Sequence, residues 1–528
     1  MQYLITNKMI KFLLFVSFLL LVSCTLEQAR PDNQTEFEPE LVSDSSLAII
    51  ENTSARSSPT QSAEGLWQRL LALYQFPAVE NERVQSEIDW YLKHPEYLAR
   101  VQKNAAPYLY FIVDEIEKRQ LPGELALLPV IESAFRPFAY SHGRASGLWQ
   151  FIPSTGRYYG LKQTWWYDGR RDVYASTHAA LDYMDKLSTR FNGDWFLALA
   201  AYNAGGGNIS KAIKKNRRSG KKSDFWSLKL RKETLRYVPK LIAITHILSH
   251  AEQYNIDLLE IPNAPYFEKI NVVKQIDLAK ATELAEIEID ELYELNPAFN
   301  QWATDPQGPH YLLIPIEKSE RFKQSIAQLP DEQRLRWRRH KIKKGETLSH
   351  IAKQYRTSVA LIKQTNHVTG HAIRAGKYLL IPSASIDSSL YTHSQTMRKK
   401  AIVGSNRPGK RLHYRVKKGD SFWTIARQHK VSVRQLAKWN AMAPGDTIKP
   451  SQKLTIWQTV GSTNAASPVT PARKNQTISY TVKNGDSLYL ISRRFKVSIN
   501  ELKEWNTLNN KYLKPGQRLK IIVDVTRS

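Results

Sequence analysis

The chain has 528 residues and a formal net charge of +27, with 76 Lys and Arg against 49 Asp and Glu. This length exceeds what a single hydrophobic core organises, so we predict several domains. The single cysteine, Cys24, excludes an internal disulfide. So large a positive charge would favour nucleic acid in a cytosolic protein, but the apolar N-terminal segment predicts export, which excludes that partner.

The first 24 residues have the layout of a secretory signal. Two lysines precede an apolar run, residues 12–22, that is too short to span a bilayer comfortably. The sequence LVSC at 21–24 resembles a bacterial lipobox, in which the signal is cut before the cysteine and its thiol receives diacylglycerol. We therefore predict lipidation of Cys24, with a buried thiol in an ordinary signal peptide as the alternative. Thr25 in place of aspartate resembles the sorting rule for the outer membrane, so we expect an outer-membrane lipoprotein that faces the periplasm.

The next two segments differ in their apolar spacing. Residues 25–62 are polar and lack sustained periodicity, which predicts a flexible tether. From residue 63 to about 260 apolar residues recur at helical spacing, as at Leu181, Met184 and Leu187. We predict one mainly α domain here.

One acid in this domain lies at the edge of an apolar run. Residues 124–132 predict a short helix that Pro129 kinks or tightens, with Glu132 near its end. A carboxyl among apolar side chains loses hydration of its charged form, which raises its pKa and suits a general acid in glycoside cleavage. A glutamate at a helix end is also typical of a solvated or capping residue, so periodicity alone leaves both interpretations open.

Four short motifs follow one another along the α domain. They are ES at 132–133, GLWQ at 147–150, AYNAG at 201–205 and YVPK at 237–240. In this order and spacing they resemble the family 1 lytic transglycosylases, which have a lysozyme-like α fold and cleave peptidoglycan. Methionine is usual at the position of Trp149, and in this respect the chain is similar to a membrane-bound branch of the family.

The resemblance explains why one acid would suffice. Most glycosidases use two carboxylates, whereas in this family one glutamate serves twice. It implies that Glu132 protonates the glycosidic oxygen and then, as carboxylate, takes the proton of the sugar's own C6 hydroxyl. That hydroxyl attacks C1 of N-acetylmuramic acid and closes a 1,6-anhydro ring, so no water is consumed.

The resemblance also implies roles for residues around the acid. Ser133 would orient or hydrogen-bond near the substrate, Gln150 and Asn203 would hold the saccharide, and Tyr237 would support the glutamate or the developing charge. Tyr202 has two open interpretations, substrate binding and aromatic core packing. For Gly147 and Gly205 we expect close backbone approach.

Asp168 and Asp172 are rival candidates for a second carboxylate. Their neighbours Arg170 and Arg171 favour a structural ion-pair network instead. If Asp168 did act as a second acid, the protein would be a hydrolytic muramidase. A further alternative is a non-catalytic peptidoglycan-binding lipoprotein.

The C-terminal half repeats a pattern of a strand, a Gly-Asp or Gly-Glu turn, two short amphipathic helices and a closing strand. The copies resemble lysin motifs (LysM), βααβ modules that bind polymers containing N-acetylglucosamine. We predict LysM modules at 340–383, 412–457 and 478–523, and a degenerate copy without the Gly-Asp turn at 265–316, packed between the two halves. The fold class is therefore α+β multidomain. Polar or basic connectors at about 384–411 and 458–477 predict linkers.

The resemblance to lysin motifs implies a shallow glycan-binding groove beside the turn of each module. The candidate contacts are Gly345, Glu346, Thr347, Gly419, Asp420, Ser421, Gly485, Asp486 and Ser487. The asparagines that close the repeats, Asn366, Asn440 and Asn506, we interpret as capping and turn residues. Several weak sites on one polymer would add avidity.

No metal or cofactor site is predicted. His142 and His178 lack the partner spacing of a zinc site, and the glycines at 205–207 are not followed by the Lys-Ser/Thr of a phosphate loop. The basic cluster at 211–222 is either a solvated loop or a surface attracted to cell-wall carboxylates. We expect a monomer that binds peptidoglycan strands, reaches the membrane through its lipid and does not bind nucleic acid.

Overall fold

The computed structural model describes residues 65–141, 143–458, 475–484, 486–495, 497, 499–506, 508 and 513–524. The predicted lipidation site Cys24, the tether, His142 and Gly485 lie outside these residues. Within the described ranges no helix combines the length and the apolar character needed to cross a membrane.

The first domain is helical, as predicted. Its α-helices are α1 (Leu66–Ala72), α2 (Glu82–Leu92), α3 (Pro95–Lys118), α4 (Leu128–Ser133), α5 (Pro153–Tyr158), α6 (Val173–Arg190), α7 (Trp195–Ala204), α8 (Gly206–Arg218) and α9 (Lys232–Ser249), with 3₁₀ helices at Gly123–Leu127 and Phe225–Ser227. Asn81, Asp172 and Asp194 begin α2, α6 and α7 by accepting hydrogen bonds from first-turn amides. Helix α9 packs against α2, α7 and α4, which gathers three of the four motifs around one helix.

Four βααβ modules follow in the described part of the chain. The first comprises β1 (Phe267–Asn271), α10 (Leu278–Ala285), α11 (Ile289–Leu295) and β2 (Tyr311–Pro315), extended by α12 (Ile316–Gln328). The second comprises β3 (Arg336–Lys341), α13 (Leu348–Gln354), α14 (Val359–Thr365) and β4 (Tyr378–Ser383), and is followed by α15 (Gln395–Gly404). The third comprises β5 (Lys410–Arg415), α16 (Phe422–Gln428), α17 (Val433–Trp439) and β6 (Lys453–Gln458). The fourth comprises β7 (Asn475–Thr481), α18 (Leu488–Arg494), α19 (Ile499–Trp505) and β8 (Arg518–Asp524), and in every module the two strands pair antiparallel.

One asparagine joins the second helix of each module to its closing strand. Asn440 donates through Nδ2 to the carbonyls of Leu436 and Thr455, both at 2.8 Å, and accepts through Oδ1 from the Thr455 amide at 2.7 Å. Equivalent sets of three bonds are made by Asn296, Asn366 and Asn506. The capping interpretation of Asn366, Asn440 and Asn506 is therefore confirmed. The same bonds at Asn296 show that the module lacking the Gly-Asp turn keeps the framework of the others.

This first module packs between the helical domain and the second module. Its Phe299 and Trp302 lie against Tyr167 and Trp166 of the helical domain, with ring centroids 5.6 Å apart in both pairs. On the other side, Trp302 donates its indole N–H to the carbonyl of Arg356 at 2.7 Å. Its core is thus shared with both neighbours.

The segment after the second module differs from the prediction of a linker. Residues 385–404, which we call the strap, are packed against the first module and the helical domain. The hydroxyl of buried Tyr391 donates to Asp277 Oδ1 at 2.8 Å, and the Ser385 amide donates to Asp277 Oδ2 at 2.8 Å. The His393 ring stacks on Phe138 at 4.7 Å. The Ser- and Thr-rich composition misled the prediction because the few aromatic side chains find partners far away in sequence.

Candidate active site

Glu132 lies in the last turn of a very short helix. The predicted helix over 124–132 is in fact two elements, a 3₁₀ helix followed by α4, and Pro129 lies in the first turn of α4 rather than kinking it. The helix ends because Ala134 and Phe135 both adopt a left-handed conformation with φ of 53°. Such a conformation is unfavourable for residues with a Cβ and is maintained here by surrounding structure.

The Glu132 carboxyl is held by one tyrosine. Tyr237, on α9, donates its hydroxyl to Glu132 Oε1 at 2.6 Å. Burial raises the pKa of Glu132 to about 7, the hydrogen bond from Tyr237 opposes that rise, and the nearby charge of Glu233 adds to it. A carboxyl with this pKa is present in both protonation states near neutral pH, as a group that alternates between acid and base requires.

The GLWQ motif forms a tight loop beside the acid. Gly147 has φ of 86°, and a Cβ at this position would lie 1.9 Å from the carbonyl oxygen of Arg170. Trp149 is fully buried and donates its indole N–H to Thr177 Oγ1 at 3.0 Å. Gln150 has φ of 49° and donates from Nε2 to the Gly147 carbonyl at 2.8 Å. The loop therefore anchors through its tryptophan and orients the glutamine.

The AYNAG motif, at the end of α7, supplies a second wall. Tyr202 donates its hydroxyl to the carbonyl of Trp149 at 2.8 Å, and its ring lies 5.2 Å from that of Tyr183. Asn203 accepts through Oδ1 a hydrogen bond from the Thr234 hydroxyl at 2.8 Å. Tyr202 thus packs as an aromatic residue and also faces the cleft, so its two interpretations are compatible.

These residues surround a cleft of about 480 Å³. The cleft is lined by Ile131, Glu132, Ser141, Ala145, Gln150, Phe151, Ile152, Thr155, Tyr183, Tyr202, Asn203, Ala204, Gly205, Glu233, Tyr237 and Lys240. Four predicted residues, Gln150, Tyr202, Asn203 and Tyr237, therefore meet around Glu132. Ser133 does not line the cleft, because its buried hydroxyl donates back to the Pro129 carbonyl at 3.2 Å.

Glu233 is the carboxylate among the cleft residues that sequence reasoning missed. It is exposed in the first turn of α9, one helical turn before Tyr237. The spacing of four residues from a motif tyrosine places both side chains on one helix face, and this signal could have found it. The cleft consequently holds a second carboxylate, although not either of the two predicted candidates.

Asp168 and Asp172 do not line the cleft, and both make structural hydrogen bonds elsewhere in the domain. Asp168 accepts from Arg170 Nη2 at 2.8 Å and Arg171 Nη1 at 3.1 Å; burial favours a higher pKa of Asp168, but the two guanidinium groups outweigh burial and lower it. Asp172 accepts from the Ala175 amide at 2.7 Å at the start of α6, and burial raises its pKa. The ion-pair interpretation therefore fits Asp168, and Asp172 is a helix cap.

The predicted turn residues of the LysM modules have internal partners. Asp420 accepts from the Tyr414 hydroxyl at 2.8 Å and the Lys417 amide at 2.7 Å. Asp486 and Glu346 are held in the same way, the latter by His340 in place of tyrosine. Thr347, Ser421 and Ser487 begin their helices as caps. Gly345 and Gly419 provide the positive φ of the turn, at 84° and 91°.

Known families match both halves of the chain. The family described as Transglycosylase SLT domain matches residues 110–225, and LysM domain matches 340–382, 414–457 and 480–521. The family described as Lytic transglycosylase MltD, LysM-like domain matches residues 266–331. Membrane-bound lytic murein transglycosylase D of Escherichia coli K12 is 36% identical over 388 residues, which cover 72% of this chain and 82% of that protein. This chain belongs to the membrane-bound lytic murein transglycosylase D family.

Two further proteins are similar to about a third of this chain. The autolysin of Enterococcus faecalis is 32% identical over 180 residues, 34% of this chain and 23% of that protein. The N-acetylmuramoyl-L-alanine amidase sle1 of Staphylococcus aureus RF122 is 30% identical over 191 residues, 36% of this chain and 54% of that protein. Each of these matches covers about a third of the chain, whereas the D-family match extends across most of it.

Proposed function

We propose that this peptidoglycan lytic transglycosylase cleaves the β-1,4 bond between N-acetylmuramic acid and N-acetylglucosamine and leaves 1,6-anhydro ends, in cell-wall turnover and remodelling. Lytic transglycosylase function follows from membership of the D family. The observation that supports this chemistry is the Glu132 carboxyl, which lies in a cleft with a pKa of about 7 and one tyrosine hydroxyl at 2.6 Å.

In the proposed mechanism Glu132 first acts as the acid. Its proton passes to the glycosidic oxygen as the bond to C1 of N-acetylmuramic acid breaks, which leaves a carboxylate. The Tyr237 hydrogen bond stabilises that carboxylate and holds it in place. The carboxylate then accepts the proton of the C6 hydroxyl while the C6 oxygen bonds to C1, so Glu132 ends the cycle protonated and no water enters the product.

The remaining site residues are proposed to bind and position. Gln150, Tyr202 and Asn203 line the cleft and would hold the saccharide. Ser133 would act as a positioning residue, because its bond to the Pro129 carbonyl closes the turn that carries Glu132. The LysM modules bind peptidoglycan and would keep the enzyme on its polymer, through the turns that begin at Gly345, Gly419 and Gly485.

The pH dependence of cleavage should report on Glu132. The acid step needs the protonated form, so the rate is expected to fall as pH rises through about 7. The Tyr237 bond lowers the pKa of Glu132, so Tyr237→Phe should raise that pKa, move the falling limb to higher pH and slow cleavage by about tenfold or more. Initial rates on purified strands between pH 5 and pH 9 measure both effects. As a control, Tyr183→Phe removes another cleft hydroxyl and should leave the pH at which the rate falls unchanged. If Tyr237→Phe instead lowered the pH at which the rate falls, the proposed effect of Tyr237 on the pKa of Glu132 would be contradicted.

A hydrolytic muramidase is the second candidate, because Glu233 lines the same cleft. A hydrolase needs a second carboxylate to activate water, and Glu233 is exposed and so suitably hydrated. In a hydrolase Glu233, rather than the predicted Asp168, would be the second acid. The two functions differ by one water in the mass of the product.

Product mass therefore tests the function. Purified sacculi would be incubated with the chain lacking its first 24 residues, and the released muropeptides weighed by mass spectrometry. Products one water lighter than reducing-end sugars would support transglycosylation. Ordinary reducing ends would mean hydrolysis through Glu233, and binding without products would mean a non-catalytic peptidoglycan-binding protein.

We further propose that the protein is an outer-membrane lipoprotein facing the periplasm, anchored by a lipid on Cys24. The lipobox-like residues 21–24 and the 36% identity with a relative that is membrane-bound by name support this location. Mass spectrometry of the N-terminal peptide should find diacylglycerol on Cys24. A mature chain that begins elsewhere would contradict the anchor.

A further inference from the structure

A larger cavity lies next to the catalytic cleft. It has a volume of about 760 Å³, within the range of ligand sites. Its walls come from α3, from residues 135–141, from α11 of the first module, from the strap with residues 405–407 after it, and from the third module. We call it the basic groove because four of its side chains are cationic, Lys103, Arg136, Arg407 and Lys438.

The positive charge of the basic groove is only partly offset. The described residues provide no ion pair for any of its four cations, and one carboxylate, Glu294, lines the groove with them. Arg407 donates through Nη2 to the Ile402 carbonyl at 3.2 Å, while its buried Nε has no partner among the described residues. Cations of this kind attract carboxylates or phosphates, and arginine does so with directed hydrogen bonds.

The basic groove and the catalytic cleft are adjacent. Ser141 lines both cavities. Arg136, four residues after Glu132, donates from Nε to the Ser133 carbonyl at 3.1 Å, so a cation of the groove is attached to the turn that carries the acid. A ligand in the groove would therefore be adjacent to the sugar in the cleft.

The third module closes the far side of the groove. Arg144 forms an ion pair with Asp446 at 2.6 Å and donates to the Gly445 carbonyl at 2.6 Å, which brings the loop after α17 to the helical domain. Lys438, Ala441 and Met442 of this module line the groove. The groove is thus assembled from parts that are more than three hundred residues apart in sequence.

We propose that the basic groove binds the carboxylate-bearing peptide of a peptidoglycan strand whose sugar occupies the cleft. The inference rests on the proposed function, because it assigns this peptide by its covalent link to the substrate. Peptidoglycan peptides are attached to N-acetylmuramic acid, the sugar at the scissile bond, and they carry free carboxylates. The strand is consequently bound by its sugars in the cleft and by a peptide in the groove, and the enzyme prefers peptide-bearing glycan to bare glycan.

The test compares two substrates and two matched variants. Uncrosslinked strands are used as isolated, or after an amidase has removed their peptides. Lys103→Ala with Lys438→Ala removes two exposed groove cations that make no bond described above, and Lys353→Ala with Lys449→Ala removes two exposed lysines outside the groove. Binding is measured in the Glu132→Gln background and cleavage in the active enzyme.

The groove variant should bind peptide-bearing strands about tenfold more weakly or worse, and should bind and cleave bare strands normally. The control variant should match the parent on both substrates. Equal affinity of the parent for both strands, or an equal loss on both strands in the groove variant, would overturn the proposal; so would competition by inorganic phosphate as strong as that of the free peptide, which would indicate a general anion site. The binding measurement decides these outcomes even if the active enzyme cleaves neither strand, in which case the proposed function fails separately.

Discussion

Replacement of Glu132 by glutamine is expected to lower the rate of 1,6-anhydro product formation by at least about 10⁴, since one acid–base role contributes about 10²–10⁴ and this residue has two. Glutamine has nearly the same shape, and its carbonyl oxygen can still accept the Tyr237 hydrogen bond, 2.6 Å long in the native site. The fold should therefore be retained. Muropeptide release from sacculi, followed by mass spectrometry, measures the loss, and thermal unfolding checks the fold.

Glu233→Gln is the matched control because it removes the other carboxylate of the cleft. Glu233 is exposed, and its charge raises the pKa of Glu132. The substitution should therefore move the falling limb of the pH profile slightly to lower pH while activity below that limb is retained. Loss of activity in Glu233→Gln comparable to that in Glu132→Gln, together with reducing-end products, would contradict the single-acid mechanism.

Of two Gly→Ala replacements in the catalytic domain, Gly147→Ala is expected to cause the larger loss of stability and of cleavage. The new Cβ would lie 1.9 Å from the carbonyl oxygen of Arg170 and 3.1 Å from the Cα of Arg171. That backbone has little freedom to move, because both arginines are buried in ion pairs with Asp168. The loop carrying Gln150 must therefore shift, and we expect about 4 kcal/mol or more of lost stability, together with loss of cleavage. Denaturant unfolding and muropeptide release measure the two losses.

Gly160→Ala separates the clash from the backbone strain. Gly160 also has a positive φ, 76°, but no atom lies within 4 Å of the position that an added methyl group would occupy. Its replacement should cost only the conformational penalty, about 1–2 kcal/mol, and leave activity intact. If the two variants had similar free energies of unfolding, the clash with the Arg170 carbonyl would not be the reason that position 147 requires glycine.

Much of the fold could be predicted from the sequence, because the patterns that indicate its helices and strands lie within short segments. The helical spacing of the first domain and the equal spacing of the three LysM repeats predicted their elements, and Asn366, Asn440 and Asn506 make the bonds expected of capping residues. Even the copy without the Gly-Asp turn was recognisable, since Asn296 has kept its place. The cleft residues Gln150, Asn203 and Tyr237 came from the order of motifs.

Ser133, which the resemblance placed near the substrate, does not line the cleft, and Glu233, which does, was not predicted. Ser133 neighbours the acid in sequence, but its hydroxyl turns back to the Pro129 carbonyl because serine near a helix end readily bonds the preceding turn. Glu233 lies about a hundred residues from Glu132 and reaches the cleft only because α9 packs across α4. Helical spacing from Tyr237 could have placed Glu233 on the same helix face, but the distance of that face from Glu132 is set by tertiary packing.

The sequence by itself determined the helical domain and the repeats, since each depends on spacing within a few turns of chain. The candidate acid Glu132 and its motif partners came instead from the resemblance to a known family, carried by four motifs between residues 132 and 240. Only the tertiary structure decided that residues 385–404 are a packed strap and that a basic groove lies next to the catalytic cleft. These features depend on burial and on the choice of partner between distant segments. Burial also raises the pKa of Glu132 to about 7, and that environment exists only once the domain has folded.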